Sequence, residues 1–148
     1  MSTSLAPCAL GVATRRSPEP VFQGGHSRRR LESSVSMDLP PIVEKMYDVN
    51  KWLLHKVGKF PRDQRLLLGQ RIVNRSLDIQ DDLMTAALTP KGEEKSRLLA
   101  DISLGLERLR YMLRLARDTQ CLSRESWYYC VKSLTEIGRM LGGWIKTC

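Results

Sequence analysis

Two histidines, four cysteines and no long hydrophobic run in 148 residues remove several chemistries at once. His26 stands in an Arg- and Ser-rich stretch. His55 stands alone, with no cysteine, serine or carboxylate spaced to make it a base or a ligand. Cys8, Cys121, Cys130 and Cys148 form no CxxC pair, so neither a zinc site nor a disulfide framework is signalled, and a reducing cytoplasm fits them. Asp78, Asp81 and Asp82 come nearest to a metal site, yet adjacent helical residues point about 100° apart and no carboxylate pair from a second segment faces them. GxxxxGK(S/T), GxGxxG and HExxH are all absent. The expectation is a protein with no catalytic residue, no metal and no cofactor. No apolar stretch approaches the roughly 18 residues that a spanning helix needs, which speaks against a membrane protein. β-branched residues are few and never alternate with polar ones over a long run, so no strand competes with helix, and no internal repeat is visible.

Positive charge is what the chain has in excess. Its formal net charge is +8 and its pI about 9.6, so an anionic partner is expected, nucleic acid first. Arginine outnumbers lysine sixteen to eight, which favours forked contacts to phosphate or carboxylate over diffuse attraction.

The chain divides at about Met37. Residues 1–36 are rich in Ser, Pro, Gly and Arg without apolar periodicity, and read as a disordered extension. Met37 opens MDLPPIVEKMYD, with Asp38 near a helix cap and Pro40–Pro41 in the first turn, so the reading allows Met37 as the true initiator. Residues 37–148 keep 19 basic against 14 acidic groups, a net +5.

Four helices are expected from there on. The first, about Pro41 to Val57, carries a seam of Ile42, Met46, Val49, Leu53 and Val57 at spacings of four and three. Gly58 ends it, and Pro61 is placed at the first position of the second helix, about Arg62 to Ala87. The buried stripe of that helix reads Leu66, Gly69, Ile72 or Val73, Ser76, Ile79 or Gln80, Leu83 and Ala87. Thr89-Pro90-Lys91-Gly92 makes a turn. The third helix, about Glu93 to Asp118, has Leu99, Ile102, Leu106, Leu109, Leu113 and Ala116 on one face. Ser123 is the expected N-cap of the fourth, on which Trp127, Val131, Leu134, Gly138, Leu141 and Ile145 recur while Cys130, Ile137 and Trp144 widen the stripe. Short links join all four, so the expected fold is all-α, an antiparallel up-down-up-down four-helix bundle. The apolar face of the last helix is broader than one intramolecular seam uses, as an oligomer requires.

The segment EIGRMLGGWIK at Glu136–Lys146 is the least generic. Gly138, Gly142 and Gly143 each cost roughly 1 kcal/mol against alanine inside a helix, so three in six residues need a compensating close approach, expected to be room for Trp144 or a subunit interface. Together with FPRD at Phe60–Asp63, LLLGQRI at Leu66–Ile72 and RLRYMLRLA at Arg108–Ala116, it resembles the accessory variability determinant (Avd) family of diversity-generating retroelements. The resemblance spans about residues 38–147. It implies a non-catalytic subunit that forms a homopentameric ring of four-helix bundles, and that binds the retroelement's reverse transcriptase and template RNA through a basic surface to support mutagenic cDNA synthesis. The same four-helix family includes the protein encoded in intervening sequences of 23S ribosomal RNA genes, which is the alternative reading.

Three basic lines are candidates for that surface. Arg110, Arg114 and Arg117 recur at four and three on the third helix, and Lys132, Arg139 and Lys146 recur every seven on the fourth. Arg62 with Arg65, and Arg71 with Arg75, add two pairs on the second. For any single arginine the competing reading is a solvated face with a local acidic partner. Trp144, Trp52, Trp127, Tyr128 and Tyr129 read as packing anchors before base-stacking platforms.

Overall fold

The computed structural model describes residues 38–148, and the expectations for residues 1–36 lie outside them. Four helices and no strand occur among the described residues. Helix α1 is Pro41–Val57, α3 is Glu93–Asp118 and α4 is Arg124–Ile145. Helix α2 covers residues 62–88 in three consecutive pieces: a turn at Arg62–Gln64, a π-helical turn at Arg65–Gly69, and Gln70–Leu88.

Local chemistry sets these limits. Pro41 takes the first position of α1, where an N–H would have no partner, and Pro40 accepts from Val43 N at 2.9 Å. Asp38, expected near the cap, makes no capping bond, because the proline pair already fixes the entry angle. Pro61 likewise stands one residue earlier than expected. With ψ at 144° it is the N-cap, and Arg62 opens the helix. Ser123 caps α4 as expected, its Oγ accepting from Ser126 N at 3.2 Å.

The seams of α1 and α3 are buried throughout, as their spacing predicts. Helix α2 departs from expectation at its start. Leu66, expected on the stripe, is 60% exposed, because the π turn adds a residue to that turn and rotates it away from the core. The stripe begins instead at Gly69 and runs through Ile72, Ser76, Ile79, Leu83 and Ala86, with Ala87 half-buried. A Cβ at Gly69 would sit 2.6 Å from Val57 Cγ1, so glycine is what lets α2 close against the end of α1. On α4 the core positions are Cys130, Leu134, Ile137 and Leu141. Trp127, Val131 and Trp144 are half-buried and Ile145 is exposed, leaving part of the broad face uncovered. Burial pushes the Cys130 thiol up to about 12, which makes it an inert packing group.

Each helix packs on the next in the chain, and α1 also packs on α4. Between α1 and α2 the core contains a polar network. Ser76 Oγ donates to Asn50 Oδ1, Asn50 Nδ2 donates to Gln80 Oε1 at 3.3 Å, and Gln80 Nε2 donates to Val43 O at 3.4 Å. Asn50 and Ser76 are both buried, so removing one member strands the other. Asn50→Ala is expected to lose about 2 kcal/mol of stability by urea unfolding, mostly as the cost of the orphaned Ser76 and Gln80 groups. A loss no larger than that of an exposed substitution would show that the network carries no weight.

Candidate nucleic-acid interface

The three arginines expected on one face of α3 have different fates. Arg110 is turned toward α4: its side chain is 22% exposed, Nη1 pairs with Glu107, and Nη2 donates to Leu134 O at 2.9 Å. The same Nη2 lies 3.1 Å from where a Cβ on Gly138 would be, so that glycine makes room for a guanidinium. Arg110 is thus a tie between α3 and α4, and the expectation that it faces a ligand with its two neighbours is corrected. Arg114 is exposed, with Nε 3.8 Å from Asp118 Oδ2. Arg117 is held on both sides. Its Nε and Nη2 reach Asp118 Oδ1 at 3.0 and 2.7 Å, and its guanidinium carbon stands 4.2 Å over the Trp127 ring.

The other basic lines stay on the surface. Lys132, Arg139 and Lys146 are exposed along α4. Glu136, between the first two, pairs with Lys45 of α1, and that hydrogen bond holds its carboxyl below the usual range. The pair's contribution is present above the ordinary carboxylate range and is lost as pH falls below it through the lowered folded value. On α2, Arg62 and Arg71 are exposed, Arg65 Nη1 donates to Gly58 O at 3.1 Å, and Arg75 Nη1 lies 4.0 Å from Asp78 Oδ2.

Acidic groups gather elsewhere. Asp82 titrates above its ordinary value, through burial first and then the charges of Asp78, Asp81 and Asp101. The folded state therefore disfavours its charged form. Asp82→Asn is expected to raise the melting temperature at neutral pH, an advantage that vanishes below the ordinary aspartate pKa, where the group is protonated folded or unfolded. A gain that persists unchanged at low pH would show that charge is not its cause. Among the described residues no group of three or more His, Cys, Asp and Glu is placed to hold a metal ion.

The glycine-rich segment behaves otherwise than its sequence suggests. A Cβ at Gly142 or Gly143 would meet nothing within 4 Å, so within one chain these two glycines make no room for Trp144 or for any other group. Trp144 lines a small recess with Pro40, Pro41, Ile42 and Met140, and Lys95 Nζ stands 5.0 Å from its ring centroid. Lys95 is buried and also donates to Thr89 O at 3.1 Å. No sequence signal marked it, since a lysine in a helical first turn reads as solvated. Trp52 packs on Tyr129 with ring centroids 5.3 Å apart, joining α1 to α4. Trp52, Trp127 and Trp144 pack against the core as expected, whereas Tyr128 and Tyr129 stay exposed.

Neither curated proteins nor solved structures gave a match to this chain. The four helices, the basic surface and the glycine-tryptophan segment all lie within residues 41–148, which match the model described as bAvd-like, and the chain belongs to that family.

Proposed function

We propose that this protein is a non-catalytic accessory subunit of a diversity-generating retroelement, acting in the cytoplasm, where it binds the reverse transcriptase and its template RNA. The observation that carries this reading is the bAvd-like match over residues 41–148. A net +5 on residues 37–148 supports an anionic partner, and the exposed cations of α2, α3 and α4, Arg110 excepted, are the surface proposed to meet it.

We infer an antiparallel up-down-up-down order within the bundle. Supporting it, Val57 neighbours Gly69 while Val43 O bonds Gln80, and Lys45 pairs with Glu136 while Trp52 packs on Tyr129. In each case one partner's number rises as the other's falls. Copies of the chain then assemble into a homopentameric ring. Leu104, Tyr111 and Leu115 support assembly, being 49%, 70% and 51% exposed at spacings of seven and four on α3, a stripe that a monomer gains nothing by displaying.

The test is affinity purification of the full chain from its native host, with mass spectrometry of the proteins and sequencing of the RNA. A reverse transcriptase with one short template RNA is the expected result. Ribosomal RNA without a transcriptase would overturn it in favour of the intervening-sequence relative.

A further inference from the structure

The positive charge is not spread evenly along the helices. Lys45–Glu136 and Trp52–Tyr129 run in opposite senses along α1 and α4, as Arg110–Leu134 and Arg117–Trp127 do along α3 and α4. These contacts bring the link after α1 and the link before α4 to one end of the helices. There, residues 55–65 carry Lys56, Lys59, Arg62 and Arg65 against Asp63 alone, and residues 114–125 carry Arg114, Arg117 and Arg124 against Asp118 and Glu125, a net +4. Toward the other end, residues 75–101 hold six acids, the Asp82 cluster among them, against four bases, a net −2. Residues 38–45 and 140–148 balance, two acids against two lysines.

The basic end also has a concave feature. Between the last turn of α3 and the first of α4 lies an open cleft of about 710 Å³, lined by Arg117, Gln120, Leu122, Ser123, Arg124 and Trp127. The Trp127 indole Nε1 is buried with no acceptor among the described residues. Asp118 and the Trp127 ring hold the Arg117 guanidinium in one orientation, so little of its entropy remains to be lost on binding. Tyr128, about 100° around α4 from Trp127 and outside the cleft lining, is 66% exposed. One guanidinium held in place, a donor without an acceptor and an exposed aromatic ring beside the cleft together suit a phosphodiester chain with unstacked bases better than an acidic polypeptide, which offers no ring to stack.

We propose that single-stranded RNA binds this link end of the bundle, its phosphates on Arg117 and Arg124 at the cleft and on Lys59 and Arg62 beyond it. The proposal rests on the reading of the protein as an RNA-binding subunit and assigns that activity to one end. Arg124, Lys59 and Arg62 have no ion-pair partner among the described residues, so reversing them breaks no bridge within the fold.

The test compares two full-length variants with the same charge change, K59E/R62E/R124E and K51E/R97E/R108E, by fluorescence anisotropy on a labelled single-stranded RNA of about 20 nucleotides across a salt series. Residues 1–36 are identical in both, so their arginines cancel in the comparison. The expected result is a loss of about a hundredfold in affinity with a shallower salt slope for the end variant, and less than about fivefold for the other. Equal losses would overturn the location while leaving RNA binding standing. Failure of the unaltered protein to bind RNA would remove the underlying reading as well. Binding of polyglutamate as tightly as RNA would reassign the surface to an acidic protein and overturn the proposal.

Discussion

Arg110→Glu is expected to destabilise the protein by about 3 kcal/mol, read as a drop in the urea midpoint by circular dichroism, because breaking one partner of a largely buried ionic tie leaves the rest uncompensated. The side chain is 22% exposed, its pair with Glu107 lies within α3, and its bond to Leu134 O joins α3 to α4. A glutamate there would set a carboxylate against a backbone carbonyl and a like charge one turn away. Arg114→Glu, four residues on and exposed, is expected to stay within about 0.5 kcal/mol of the parent. Equal effects at the two positions would show that the tie contributes nothing. A binding assay that reverses Arg110 along with Arg114 and Arg117 would therefore confound loss of fold with loss of contact.

Gly69→Leu is expected to cost a similar amount, about 3 kcal/mol or roughly 10 °C in melting temperature. The obstacle is specific. The new Cβ falls 2.6 Å from Val57 Cγ1 and 3.5 Å from Phe60 Cδ2. A β-branched side chain in a helix has essentially one rotamer, so Val57 cannot swing aside and the backbone must yield. Gly143→Ala has the opposite sign, a gain of about 0.5 kcal/mol, since the site is open within the chain and alanine is the better helix former. If Gly69→Leu were as stable as the parent, the absence of a side chain there would not be what lets α2 close against the end of α1. If Gly143→Ala stabilised the chain but weakened assembly, the diglycine would belong to a contact between copies.

Helix number, the α1 and α3 seams, the Ser123 cap and the Thr89–Gly92 turn were legible in the residues, because each follows from periodicity or from a bond within four residues of its own position. The family was legible too, in the motifs of residues 60–146. Four things were not. The π turn exposes Leu66, which a 3.6-residue period places on the buried stripe. Arg110 turns inward because Gly138, on another helix, leaves space for it. Lys95 is buried by Trp144, forty-nine positions away in the chain. The proposed collection of positive charge at one end depends on residues 55–65 and 114–125 meeting there, which no local pattern encodes. Sequence by itself determined what each helix is and which of its faces is apolar, since those depend on local spacing and propensity. Tertiary structure alone decided which cations are held within the fold and which stay exposed, because that depends on groups far apart in the chain and close together in space.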